Sequence, residues 1–244
     1  MSPDRPRFEE LDWQQTPMGA ISLRRRREPA LSVDVFEAKL DDDFLMSSLF
    51  TVAEEELARL GLAAATHQRL DVLVGGLGLG YTAVAALEDD RVASLVVVEA
   101  LPEVVGWHRR HLLPVSQRLT GDPRCRLVEA DFFATAGSGL PLPAGADDTG
   151  FDVLLVDIDH SPRHVLHPSH QAFYSVAGLT AMCSRLRAGG VFALWSDDPP
   201  DEEFVPTLGE VFASVAAHVV EFDNHLTGGR SSNTVYVATL SRSA

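Results

Sequence analysis

Four short apolar runs in this sequence each end in residues suited to chemistry on a bound molecule. Leu95-Val-Val-Val98 ends in Glu99, Arg126-Leu-Val-Glu129 is followed by Asp131-Phe132, Phe151 to Val156 by Asp157-Ile-Asp159-His160, and Val191 to Trp195 by Ser196-Asp197-Asp198. A carboxylate can accept from a ribose diol or an adenine amino group, and it can orient an amine and stabilise the charge that the amine acquires on attack. A histidine beside it, which titrates near neutrality, can take up the proton. A fifth run, Val72-Leu-Val74, breaks into Gly75, Gly76, Gly78 and Gly80. Four glycines so close together permit positive φ and leave no Cβ between the backbone and a ligand.

These segments need a scaffold that brings strand ends to one edge. Val72-Leu-Val74 has the continuous apolar character of a strand covered on both faces, and Tyr81 to Leu87 has the Ala-rich spacing of the helix that follows it. From Asp71 onward strand and helix patterns alternate, with further strands at Arg126–Glu129, Phe151–Val156, Val191–Trp195, Ala217–Phe222 and Thr234–Ala238. Helices are expected near 101–118, 171–187 and 203–214. This predicts an α/β fold with a doubly wound, mostly parallel, seven-stranded sheet, in which ligands sit outside the carboxyl ends of the strands. Glu99, about 20 residues past the glycines, is where a ribose diol is met in such folds. Glycines at 76, 78 and 80 give G-x-G-x-G, while the dinucleotide pattern would need glycine where Tyr81 stands. The former spacing is that of class I S-adenosylmethionine-dependent transferases, whose sulfonium cofactor has no pyrophosphate to bind.

Composition sets outer bounds. The 244 residues suffice for one α/β domain, taken as residues 51–244, behind a small amino-terminal β-hairpin region at 1–50. Residues 1–15 read as an arm, with Ala20–Leu23 and Leu31–Ala38 as the hairpin, Arg24–Arg27 with Pro29 as its turn, and Leu40–Met46 as a third short strand. Ser47-Ser48 leads into an amphipathic helix over Val52–Ala65. The stretch Gly137–Gly150 reads as a Gly/Pro-rich loop. A net charge of −15 argues against sequence-independent nucleic-acid binding and suits a cationic small molecule. Without a transmembrane run or a signal-peptide core, no membrane association is expected and the location is read as cytoplasmic. Cys125 and Cys183 lack metal spacing and read as buried apolar residues. His160, His164, His167 and His170 have helical spacing that Pro162 and Pro168 interrupt, so they read as loop histidines and no metal site is assigned.

The chain resembles the spermidine synthase-like branch of the class I methyltransferase fold. The resemblance rests on Val-Leu-Val-Gly-Gly from 72, Leu-Val-Val-Val-Glu99, Asp122-Pro-Arg, Phe151-Asp-Val-Leu-Leu-Val-Asp157, Ala172-Phe-Tyr174 and Gly190-Val-Phe-Ala-Leu-Trp-Ser196, and it spans residues 70–240. It implies Glu99 on the ribose, Asp131 and Phe132 at the adenine, and Asp157 at the transfer centre. Tyr174, Trp195 and Asp197 are assigned to the substrate pocket, and Asp159 with His160 to the proton's route. Two departures stand out. Aminopropyltransferases carry an acid inside the glycine turn, where this chain has Gly78-Leu79, and an Asp-x-x-Asp-Pro where it has Asp157-Ile-Asp159-His160-Ser161-Pro162. On these grounds the first expectation is methyl transfer from S-adenosylmethionine to a small nucleophile, an amine among the candidates, with a cationic small molecule as the acceptor partner considered. Aminopropyl transfer from decarboxylated S-adenosylmethionine is the alternative, and a catalytically silent nucleoside-binding subunit is the third reading. Asp157-Ile-Asp159-His160 is also similar to the Asp-x-Asp-Lys of metal-dependent catechol-type O-methyltransferases. A homodimer is left open.

Overall fold

Side-chain alternation along the apolar runs sets the architecture. The structure is a computed structural model that describes residues 7–138 and 150–242, so the arm residues 1–6 and the loop residues 139–149 lie outside the described residues. An antiparallel sheet comes first, ordered as in the chain, with β1 (Phe8–Thr16), β2 (Gly19–Glu28), β3 (Val33–Leu40) and β4 (Asp43–Ser47). The second sheet holds β5 (Leu70–Gly75), β6 (Val92–Glu99), β7 (Cys125–Glu129), β8 (Phe151–Val156) and β9 (Leu186–Ser196), all parallel. A hairpin of β10 (Ser214–Asn224) and β11 (Gly229–Thr239) joins it antiparallel to β9, giving the order β10-β11-β9-β8-β5-β6-β7. The expected seven-stranded, mostly parallel sheet is therefore present.

Each central strand contributes to two cores. Val72, Val74, Leu95, Val97, Val153 and Leu155 face α1 (Val52–Ala64), α2 (Tyr81–Ala86), α3 (Pro102–Arg109) and α4 (Ser116–Gly121). Leu73, Val96, Val98, Leu154 and Val156 face α5 (Phe132–Ser138), α6 (Val176–Cys183) and α7 (Phe204–Gly209). Burying both faces explains why these strands read as unbroken apolar runs. Ile21, Leu23 and Ala38 of the first sheet are fully buried in the α1 core, so the two sheets share packing. Helix α1 lies close on β8 because Gly61 has no side chain; a Cβ there would sit 2.6 Å from Leu155 Cδ2. At the sheet's other end, opposite the glycine turn, buried Asp152 accepts from the Asp71 N–H at 2.9 Å and from the Arg187 guanidinium, and bonds His67 at 2.6 Å.

Several local expectations are corrected. Residues 8–16 are a strand and not an arm, because Trp107 Nε1 and Arg110 Nη2 donate to Asp12 at 2.7 and 2.6 Å and β2 pairs with β1 along its length. The arginine run lies inside β2 and not in a turn: Arg24 and Arg26 pair with Glu37, Arg25 with Glu9 and Asp34, and Arg27 with Asp34. The first sheet thus has four strands where a hairpin and one short strand were expected. The helix expected over 171–187 is a 3₁₀ turn, Pro168–Tyr174, then α6, because Ser175 caps the latter and β9 already begins at Leu186. Cys125 and Cys183 are half-buried and free.

Removing Asp12 leaves the indole N–H of fully buried Trp107 without its acceptor. Asp12→Ala is therefore expected to cost about 1–3 kcal/mol of stability and to release residues 7–16 to proteases first. Thermal melting with limited proteolysis checks this; an unchanged melting curve would mean that β1 is not held by this contact.

Candidate active site

The glycine turn is shaped by two close backbone contacts. Gly76 donates to the Val98 carbonyl at 2.9 Å, and Asp157 donates to the Gly75 carbonyl at 2.8 Å. This draws the end of β8 so near that a Cβ on Gly76, whose φ is +94°, would lie 2.0 Å from the Asp157 carbonyl oxygen. Only glycine satisfies both the left-handed φ and the approach. Glu99 then holds the turn from β6: its carboxylate accepts from the N–H groups of Leu77 at 3.1 Å, Gly78 at 3.5 Å and Leu101 at 2.9 Å. Burial pushes its pKa up while these backbone donors pull it down. The Ala100 N–H bonds the carboxylate as well, so backbone donors from both sides fix it beside the turn.

A residue overlooked in the sequence braces the turn from below. His108 on α3 is fully buried, and its Nε2 is 2.9 Å from the Gly78 carbonyl, with Nδ1 3.3 Å from Ser116 Oγ. Burial lowers its pKa, so it is neutral, and the carbonyl partner assigns the proton to Nε2. The signal available in sequence was a histidine within the helix expected at 101–118, which does not distinguish a brace from a surface residue.

Above the turn lies a cavity of about 580 Å³. Gly78, Leu79, Gly80 and Tyr81 form its floor. Phe44, Met46 and Phe50 from β4 and the segment after it form one wall, with Met46 Sδ over Gly78, and Trp195, Phe222 and Asn233 form the other. Phe50 and Phe222 meet across it with ring centroids 5.5 Å apart. Three acids enter it, Glu54, Asp157 and Asp197, and no lysine or arginine is among the described residues lining it. Asp157 accepts from Thr82 Oγ1 at 2.6 Å, and Asp197 from Asn233 Nδ2 at 2.7 Å. Burial, then the charge of Asp157, push the Glu54 carboxyl well above the usual range. Burial pushes Asp157 up as well, against the pull of the Thr82 hydroxyl. The indole N–H of Trp195 is buried and has no hydrogen-bond partner among the described residues.

The predicted residues divide into those the fold brings to this cavity and those it does not. Gly78, Gly80, Asp157, His160, Trp195 and Asp197 line it. Gly75, Gly76 and Glu99 build the turn beside it. Phe132 packs its ring on Gly75, while exposed Asp131 caps α5 by accepting from the Ala134 N–H at 3.0 Å. Two assigned residues lie outside the cavity. Asp159 does not line it: its carboxylate is buried, accepting from the Leu166 N–H at 2.7 Å and the Tyr174 hydroxyl at 2.7 Å and bonded to His170 at 2.8 Å. Tyr174 is held by that same bond in the α6 core and does not line the cavity. His164 and His167 are engaged with Asp198 and Ser169, and among the described residues no three His, Cys, Asp or Glu are grouped to hold a metal ion.

Glu54 was missed in the sequence. It sits on the stripe of α1 formed by Ala53, Leu57, Ala58 and Gly61, seven residues before Gly61 and thus on the same face. A lone acid on an otherwise apolar stripe was the readable signal.

No protein-family model matches this chain. Polyamine aminopropyltransferase 2 of Pseudomonas aeruginosa is 32% identical to it over 158 residues, which are 61% of this chain and 41% of that relative. Spermidine synthase from Thermotoga maritima superposes with a TM-score of 0.71 at 18% identity, covering 94% of this chain and 72% of that one. A spermidine synthase in complex with the transition-state analogue AdoDATO gives 0.72, also at 18%, covering 94% and 73%. The chain therefore has a spermidine synthase-like fold and is homologous to a polyamine aminopropyltransferase over less than half of that relative's length. Methyl transfer, the first expectation from sequence, is overturned by these relatives, which bear the names of aminopropyl-transferring enzymes. The departures that had favoured it concern where carboxylates sit in the sequence, and the fold brings a carboxylate to the glycine turn from elsewhere. Among the described residues, no helix is long and apolar enough to cross a membrane.

The raised carboxyl groups have a consequence for stability. In the unfolded chain Glu54 ionises in the ordinary range, whereas the folded protein keeps it protonated to higher pH, so the unfolded state gains by ionising first and stability falls as pH rises through that interval. Glu54→Gln removes this loss. The variant is expected to melt above the parent at about pH 8 and to match it near pH 5. Equal melting temperatures at both ends would show that Glu54 carries no burial penalty.

Proposed function

We propose that this chain transfers an aminopropyl group from decarboxylated S-adenosylmethionine to a cationic amine. The observation that carries the reading is the cavity on the glycine turn, with its three carboxylates, five aromatic side chains and, among the described residues, no lining lysine or arginine. A ligand that fits there is positively charged, and both partners of this reaction are. The glycine turn holds the donor, and Phe44, Met46 and Phe50 wall the cavity beside it.

The donor fits the residues present: the glycines leave room for a nucleoside against the backbone, and the Glu99 carboxylate stands beside the turn where a ribose would meet it. When bound, it supplies a sulfonium-activated methylene carbon and, after transfer, leaves as methylthioadenosine. The chain's own residues do the rest. Asp157 orients the attacking nitrogen and offsets the positive charge that develops as the new C–N bond forms and the C–S bond breaks, with the electron pair passing to sulfur. The proton then lost from nitrogen passes to His160, which lines the same cavity. Phe44, Phe50, Trp195 and Phe222 keep water from the reacting atoms.

The test is turnover with radiolabelled donor. Transfer to a diamine or longer polyamine is expected with decarboxylated S-adenosylmethionine; methylation with the carboxylated form and no aminopropyl transfer would overturn the reading. Asp157→Asn should lower kcat by about 100-fold or more while donor affinity stays close to the parent's. Glu99→Ala should weaken methylthioadenosine binding by about 1.5–3 kcal/mol, the scale of hydrogen bonds to a charged group. Full activity in both variants would move the chemistry elsewhere.

A further inference from the structure

We infer that Glu54 of α1 holds a primary ammonium group of a substrate in this cavity, acting in place of the carboxylate that the glycine turn lacks at Gly78-Leu79. The inference rests on the proposed reaction for the identity of the ligand but not for the binding itself.

The position of Glu54 follows from the helix. Its face toward the sheet is fixed by Leu57, Ala58 and Gly61, and α1 packs on α2, the helix that leaves the glycine turn. The first turn of α1 therefore projects its acid over the turn, where the Thr82 hydroxyl lies within 3.2 Å of the Glu54 carbonyl and 2.6 Å of the Asp157 carboxylate. Several other acids are matched internally: Glu55 and Glu56 pair with Arg59, Glu37 with Arg24 and Arg26, and Asp201 with Arg163. The Glu54 carboxylate makes no hydrogen bond or ion pair to another residue among the described residues. The charged and titratable groups facing it are Asp157 and Asp197 from the strand ends, Glu55 beside it, Tyr81 on α2 and His160 across the cavity. Nothing there supplies a fixed positive charge.

A second observation is independent of the acids. Phe44, Phe50, Tyr81, Trp195 and Phe222 line the cavity, and aromatic ring faces attract a cation while offering an anion nothing. An ammonium entering between Glu54 and Asp157 replaces a proton that the crowded, buried pair otherwise keeps, and three N–H donors can serve both carboxylates at once. Two substrates carry such a group: the aminopropyl tail of the donor and the acceptor amine.

Calorimetry on the intact protein separates these sources. The ligands are decarboxylated S-adenosylmethionine, methylthioadenosine, which keeps the nucleoside and sulfur but has no ammonium, and 1,4-diaminobutane. Glu54→Gln is expected to weaken binding of at least one amine-bearing ligand by about tenfold or more and to leave methylthioadenosine within about twofold, since a bond to a charged group is lost without disturbing the nucleoside. Loss for the donor alone assigns the aminopropyl ammonium, and loss for the diamine alone assigns the acceptor. Glu54→Asp, which keeps the charge but shortens its reach, should fall between Gln and the parent. Glu55→Gln, one residue away and tied to Arg59, should leave all three unchanged. Unaltered amine affinity in Glu54→Gln, an equal loss for methylthioadenosine, or a parent protein that binds no amine would each overturn the inference. A parent that binds the diamine through Glu54 yet transfers nothing would instead overturn the aminopropyl reading and leave this one standing.

Discussion

The site depends on one backbone junction, where Gly75 and Gly76 at the end of β5 are clamped between Val98 and Asp157. The peptide hydrogen bonds on either side continue the parallel ladder one residue past the strands, and the absence of a Cβ at Gly76 lets the end of β8 come into van der Waals contact. That closeness fixes where the Asp157 side chain starts and how the turn bends toward Glu99. Shifting it by even a methyl group displaces the acid, the turn and the carboxylate that braces the turn together, because all three hang on the same three strands. His108 performs the complementary task from the α3 side, bonding the Gly78 carbonyl that the bend leaves without a ladder partner.

The acid excess of the chain is not spread evenly in its consequences. The β2 arginines are neutralised within their own sheet, Asp152 is neutralised by Arg187, and Asp159 is enclosed by a tyrosine, a histidine and a backbone donor. Glu54 and Asp157 differ in having few donors and no cation beside them, and in low-dielectric surroundings their charged forms disfavour each other. Such a pair is costly to folding and is relieved by a proton or by a bound cation. The same physics that makes the pair a liability for stability underlies the proposed preference of the cavity for positive ligands.

A missing acid in a local motif is a statement about chain position and not about space. The glycine turn of this protein carries leucine where the family resemblance implies a carboxylate, yet the first turn of α1 brings Glu54 to the same cavity. Because α1 is held against β8 by Gly61 and lies on α2, its amino-terminal end has one position relative to the turn. Reading the departure as a loss of the amine site led to methyl transfer; the fold brings a different acid, Glu54, to the cavity.

What the sequence determined by itself was local and periodic. Continuous β-branched runs, glycine spacing and an acid at the tip of β6 specified the parallel sheet, the turn at Gly75–Gly80 and the place of Glu99, because each follows from contacts within a few residues or from burial of both strand faces. It also named Asp157, His160, Trp195 and Asp197, which stand at strand ends that a parallel sheet must bring to one edge. It did not determine which of two adjacent acids faces the cavity: Asp157 and Asp159 are two residues apart after the strand has ended, and the bond from Tyr174, 15 residues later, holds Asp159 outside it. Nor did it place Glu54 or His108, whose roles arise from helix packing across β5, β6 and β8. Those were decisions of tertiary structure, since a side chain on a helix acquires its partners only when the helix is docked.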